Sequence, residues 1–226
     1  MLQLLKTSDG SHTIRHVELN ETYHSIHGAV QESKHVFIQN GLHFYIEKHK
    51  PSCLKILEVG FGTGLNAFLT MIDEKSHGIS IMYDAVEAFP LPGEMAMELN
   101  YPDFVETSNA ASIFSALHKA AWNETSSMST DFTLRKMHNS VQATMLEKST
   151  YDIVYFDAFA PKTQPDMWSA SVLSNVIWAI KTGGVLVTYC ASGQFKRDLK
   201  SLQVEIEVLP GPPGKKEMVR ASRIPK

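Results

Sequence analysis

Apolar residues recur along this chain with two periods that keep exchanging places. Short branched runs of the kind that fill buried strands occur at 54–59 (LKILEV), in ISIMYDAVEAF, in YDIVYFDAF and in VLVTYC. Between them, apolar positions fall on one helical face. Leu65, Phe68, Leu69 and Ile72 do so after the first run, and Val172, Val176, Ile177 and Ile180 do so within a helix predicted over 167–181. Shorter helices are predicted through PLPGEMAMEL, whose prolines suit a helix start, through SIFSALHKAAW after a break at NYPDF, and through FKRDLKSL. DFTLRKMHN reads as a weaker strand and NETSSMST as a polar turn. Near the end, EIEVLP and EMVRAS flank the turn GPPG and predict an antiparallel hairpin.

Strands alternating with helices predict an α/β chain. The expected architecture is a mainly parallel, Rossmann-like sheet of seven strands, covered on both faces, with the hairpin at one edge. The first 50 residues break the alternation. Their paired apolar and aromatic positions, in ETYHSIHGAVQESKHVFIQNGLHFYIEKH, predict a small hairpin or helical cap over the edge of the sheet where ligands bind. A length of 226 residues leads us to expect one domain, 1–226, made of an N-terminal extension (1–50) and a catalytic core (51–226).

Composition narrows the classes of function. Hydrophobic residues at 43% and charged residues at 20% are ordinary for a water-soluble chain, and no apolar run approaches a membrane span, so no membrane partner is expected. The start, MLQLLKTSDGSHTIRH, lacks the basic and extended apolar regions of a secretory signal, and Cys53 and Cys190 form no CxxC pair. Both observations fit a cytoplasmic location with free thiols. His12/His16 and His24/His27 have no partner cysteines or carboxylates at metal-binding spacing, so no metal site is predicted. A net charge of -3 argues against a globally basic nucleic-acid binder. The C-terminal end is nonetheless locally basic: Lys215, Lys216, Arg220, Arg223 and Lys226 face only Glu217.

The stretch Glu58-Val59-Gly60-Phe61-Gly62-Thr63-Gly64-Leu65-Asn66 sets three glycines at alternate positions between a strand and its helix. Missing side chains let backbone approach a ligand, and the helix start offers unpaired N–H groups. The spacing G-x-G-x-G departs from the G-x-G-x-x-G that holds a pyrophosphate. Glu87, closing the second strand, is placed to accept hydrogen bonds from both hydroxyls of a ribose. Loop and acid together favour S-adenosylmethionine over a dinucleotide. A nucleotide-binding oxidoreductase is the competing reading.

Several separated pieces of the chain are similar to the methyltransferase domain of the tRNA 5-methylaminomethyl-2-thiouridine biosynthesis proteins, the MnmC family. They are YHSIHGAVQESKHVFIQNGL, LEVGFGTGLNAFL, VEAFPL, YDIVYFDAFAPKTQPDMWS, GGVLVTYCASGQFKRDL and PGPPGKKEMVRAS, spanning about Tyr23 to Ser222. The resemblance implies a class I S-adenosylmethionine-dependent methyltransferase acting on the 5-aminomethyl group of the wobble (2-thio)uridine in a tRNA anticodon loop. It also implies an upstream enzyme that supplies that amine. Larger family members carry an FAD-dependent oxidase domain after this part; the sequence ends before one, so no FAD is expected. The cofactor residues it implies are Glu58, Gly60, Phe61, Gly62, Gly64, Asn66, Glu87, Asn139 and Asp157. Asn139 follows His138 where the family usually has an acid, so its contact with the adenine amino group would run through its side-chain carbonyl.

Methyl transfer to an amine needs the nitrogen stripped of a proton and held in line. Asp157, at the carboxyl end of the fourth strand beside the glycine loop, is the expected catalytic carboxylate; a turn cap is the plainer reading of it. Expected substrate contacts are Glu32, Phe159 against the base, and Lys215, Lys216 and Arg220 against phosphates. An N-methyltransferase of a small-molecule or protein amine is the alternative, and a non-catalytic tRNA-binding module a further one.

Overall fold

The computed structural model describes residues 1–225, which leaves Lys226 outside the described residues. The chain opens with a small antiparallel sheet of β1 (Leu2–Lys6), β2 (His12–His16) and β3 (Glu21–Thr22). A long helical passage follows: α1 (Ala29–Ser33), a ten-residue π-helical segment (Lys34–His43) and α2 (Phe44–His49). Its start is capped from far away in sequence, because Ser11 Oγ accepts from the Ala29 and Val30 N–H groups and Asp9 Oδ2 from that of Gln31. Lys50, in a left-handed conformation ahead of Pro51, ends the passage. The expected hairpin or cap is therefore both a three-stranded sheet and a helix.

The alternating region follows the periods read from the sequence. It comprises β4 (Cys53–Val59), α3 (Leu65–Met71), β5 (Ser80–Glu87), α4 (Gly93–Met97), α5 (Ala110–Lys119), β6 (Thr125–Ser127), β7 (Phe132–His138), β8 (Tyr151–Phe156), α6 (Ala170–Ala179), β9 (Ile180–Thr188), α7 (Gly193–Lys200), β10 (Val204–Pro210) and β11 (Glu217–Arg223). These strands make one sheet in the order β10-β11-β9-β8-β4-β5-β7-β6. The five strands β7, β5, β4, β8 and β9 run parallel, and the terminal β10-β11 hairpin is antiparallel, as expected.

Two details differ from expectation. The sheet has eight strands because Thr125–Ser127, read as a turn, folds back antiparallel on Phe132–His138. The helix predicted over 167–181 is shorter. Ser169 caps it by accepting from the Val172 N–H, and Ile180 already belongs to β9.

Central strands buried on both faces explain the continuous apolar runs, with all six residues of β8 buried. On one face Phe37, Leu42, Phe68 and Phe114 cover the sheet; on the other Val172, Leu173, Val176 and Phe195 do. Each such side chain contributes roughly 1.5–3 kcal/mol by leaving water. Strand order reverses direction of growth at β4, which lies between β5 and β8. Loops leaving the carboxyl ends of these three strands meet there, at the crevice where ligands of open α/β sheets bind.

Candidate active site

The loop after β4 is held tightly on both sides. The Gly60 N–H donates to the Val86 carbonyl and the Asp157 N–H to the Val59 carbonyl, each at 2.9 Å. Gly60 has φ +93°, and a Cβ there would stand 2.6 Å from the Asp157 carbonyl oxygen. Only glycine lets the first and fourth parallel strands approach this closely at their ends. The Gly62 N–H donates to Glu87 Oε2 at 3.0 Å, and Glu87 Oε1 accepts from the Phe89 N–H at 2.8 Å. Burial raises the Glu87 carboxyl above its ordinary value, against those backbone donors. The N-terminal sheet steadies the same loop: His24 Nε2 lies 2.6 Å from Thr63 Oγ1, and burial pushes that imidazole down to about 4. His24 is a neutral strut at physiological pH.

Behind the loop one amide joins two acids. Asn66 Nδ2 donates to Glu58 Oε1 at 2.9 Å and to Asp157 Oδ2 at 2.8 Å. Burial, then the neighbouring Asp157 charge, drives the Glu58 carboxyl well upward. Glu58 Oε2, Asn66 Oδ1 and the nearby Tyr83 hydroxyl are buried without hydrogen-bond partners. Asp157 is half-buried, its exposed part facing the first cavity. Burial, followed by the Glu32 charge, raises it to about 7, while Asn66 and Lys215 pull the other way.

Two cavities meet here. The first, about 520 Å³, runs over the glycine loop past Glu87 and Asn139 to Asp157. The second, about 700 Å³, lies on the other side of Ala158 and Phe159 and is lined by Glu32, Lys162, Tyr189 and Lys215. Tyr23 and Phe159 border both, packed edge to face with centroids 5.0 Å apart. Glu32, 4% exposed, accepts from the Ser25 N–H through one oxygen and from Lys215 Nζ through the other at 2.5 Å. The same ammonium sits 3.7 Å over the Tyr189 ring, whose hydroxyl donates to the Ala158 carbonyl.

The predicted residues separate accordingly. Gly60, Phe61, Gly62, Glu87, Asn139, Asp157 and Phe159 line the first cavity. Glu58, Gly64 and Asn66 lie behind it, and Glu32 and Lys215 line the second. Asn139 Oδ1 accepts from the Ser140 N–H, a contact the adenine amino group would have to share. Lys216 is exposed on the β10-β11 turn. Arg220 is a correction. It is 6% exposed, forked onto Glu207, stacked 3.4 Å over the Phe44 ring and donating to the Asn40 carbonyl, so no phosphate reaches it. Lys215 is paired with Glu32 at the edge of the second cavity, its side chain partly exposed. Tyr23, His24 and Tyr189 were not singled out from the sequence; their only signal was polar aromatics inside otherwise informative pieces. Among the described residues, no group of three His, Cys, Asp or Glu side chains is placed to hold a metal, and no helix is long and apolar enough to cross a membrane.

Residues 108–224 match the model of an S-adenosyl-L-methionine-dependent methyltransferase family. The chain belongs to that family. The MnmC resemblance drawn from the motifs is borne out by curated relatives. The chain is 30% identical over 223 residues to the tRNA 5-methylaminomethyl-2-thiouridine biosynthesis bifunctional protein MnmC of Leptospira interrogans, covering 91% of this chain and 33% of that protein. It is 29% identical over 218 residues to the protein of the same name from Pseudoalteromonas atlantica, covering 88% of this chain and 30% of that protein. The chain thus spans about one third of the length of these relatives. Its fold is also that of MNMC2 from Aquifex aeolicus, with a TM-score of 0.80 at 23% identity over 100% of this chain and 71% of that one.

The residues present fit the family's cofactor. The first cavity has the volume of a small-molecule site, its floor is the glycine loop, where a Cβ at Gly62 would press on the Tyr23 ring that lines the same cavity, and Glu87 presents a carboxylate at its edge. S-adenosylmethionine supplies a methyl group activated on a sulfonium.

Proposed function

We propose that this chain methylates the 5-aminomethyl group of wobble (2-thio)uridine in tRNA, giving 5-methylaminomethyl(-2-thio)uridine. One observation carries the reading. The Asp157 carboxylate lines a cofactor-sized cavity that adjoins, across Ala158 and Phe159, a second cavity where Glu32 already holds an ammonium. The names of the relatives point to the same modified nucleoside.

In this reading Glu87 takes the ribose hydroxyls, the N–H groups of the glycine loop, backed by the buried Glu58–Asn66 pair, receive the amino-acid end, and Asn139 meets the adenine. Asp157 accepts the proton that an alkylammonium must lose before its nitrogen has a lone pair to offer. A carboxyl raised to about 7 suits that task at neutral pH, since it is basic enough to accept a proton and acidic enough to release it. Tyr23 and Phe159 hold the base and exclude water. Lys216 lies along the entering anticodon loop. A separate enzyme supplies the aminomethyl group, and the reaction belongs to the compartment that holds tRNA, the cytoplasm.

The test is incubation with S-adenosylmethionine and tRNA from cells lacking the modification, followed by nucleoside mass spectrometry. Gain of one methyl group on 5-aminomethyl(-2-thio)uridine is expected. An unmethylated nucleoside in the presence of bound cofactor would move the acceptor to a small-molecule or protein amine.

A further inference from the structure

Lys215 occupies an unusual place for a surface-hairpin lysine. It reaches from the β10-β11 turn into the second cavity, where its ammonium meets a buried carboxylate and an aromatic face. A carboxylate with an aromatic wall is the environment in which a protein recognises an alkylammonium ligand. The two partners are not equally fixed. The Glu32 side chain is 5% exposed and tied by the Ser25 N–H, whereas that of Lys215 is 31% exposed on a turn between two strands. Lys215 can leave; Glu32 cannot.

We propose that Glu32 and the Tyr189 ring form the binding site for the substrate's ammonium, and that Lys215 is an internal stand-in which the substrate displaces. The inference deepens the function proposed above and rests on it for the identity of the amine. A buried carboxylate left without a cation is strongly disfavoured, so Glu32 trades one ammonium only for another. A neutral group of the same shape cannot complete the exchange. Asp157 lines the adjoining cavity and feels the Glu32 charge, so a cation held by Glu32 has a second acid within electrostatic reach to take its proton. The displaced Lys215 swings toward the outer part of the cavity, near exposed Arg15 and Lys162, where a polyanion would meet it.

The test is direct binding to protein saturated with S-adenosylhomocysteine, by calorimetry, using 5-aminomethyluridine against its neutral counterpart 5-hydroxymethyluridine, and benzylammonium against benzyl alcohol. The native chain should prefer the amine of each pair at pH 7. Glu32→Gln should reduce that preference at least 10-fold. Lys215→Met should tighten amine binding about 3- to 10-fold, by removing the competitor, without changing the alcohols. A Lys215→Met variant that binds amines more weakly, or a Glu32→Gln variant with its preference intact, overturns the proposal. If benzylammonium follows the pattern while neither nucleoside binds, the ammonium site stands and the uridine reading fails. A purely structural ion pair would lower the melting temperature of both variants and leave the preference unchanged.

Discussion

At pH 8 the Asp157→Asn variant should be more stable than the native chain, although it should methylate poorly. Burial, and then the charge of Glu32, raise this carboxyl from 3.8 to about 7, so the folded chain holds the proton more tightly than the unfolded one. Stability from this group is therefore complete below pH 4, declines as pH rises toward 7, and is flat beyond. The gap between 3.8 and about 7, at roughly 1.4 kcal/mol per tenfold change in proton affinity, sets an upper limit of about 4 kcal/mol. Water in the cavity reaches the carboxylate and Glu58 shares the same amide, which reduces the expected gain to about 1–3 kcal/mol. Asparagine keeps the shape, and its side-chain oxygen still accepts from Asn66. Urea unfolding of both chains, without cofactor, at pH 4 and pH 8 measures the effect. The variant should lead at pH 8 and the lead should shrink toward pH 4, while methyl transfer falls by about 10²- to 10⁴-fold. A variant no more stable at pH 8, or one whose advantage ignores pH, would refute the strained-carboxylate argument.

Gly60→Ala should lose about 1–3 kcal/mol and most cofactor affinity, because its Cβ would press on the Asp157 carbonyl at 2.6 Å; thermal melts with and without S-adenosylhomocysteine read both effects. Glu87→Ala should weaken S-adenosylhomocysteine binding about 10- to 100-fold by calorimetry, since it removes the proposed ribose acceptor and frees the Gly62 N–H. Lys216→Ala should weaken tRNA binding and lower its salt slope by about 1, whereas Arg220→Ala should cost about 1–3 kcal/mol of stability and leave the slope alone. Equal salt slopes for these two variants would return Arg220 to the nucleic-acid surface.

The core was legible because its strands are buried on both faces and its helices on one, which writes two distinct periods into the sequence. The glycine loop was legible for a related reason: backbone that must pass close to Asp157 and turn into α3 tolerates little else. The N-terminal region was not. Val36, Phe37, Ile38 and Leu42 sit on wide π-helical turns, whose spacing matches neither strand nor α-helix, and its cap comes from Ser11 and Asp9, some twenty residues upstream. The C-terminal charges misled because a run of basic residues does not say which face each occupies. Arg220 stands directly opposite Glu207 in the hairpin register, and that pairing decides its role. Asn66 was expected against the cofactor; its amide instead spends both hydrogens on Glu58 and Asp157.

The wall made by Tyr23 and Phe159 also bears on the timing of turnover. Each side of it has its own way out, past exposed Phe89 on one side and exposed Lys162 on the other. Under the proposed function, spent cofactor need not wait for the methylated tRNA to depart, nor the reverse. Steady-state kinetics should then follow a random order, with S-adenosylhomocysteine competing against S-adenosylmethionine alone.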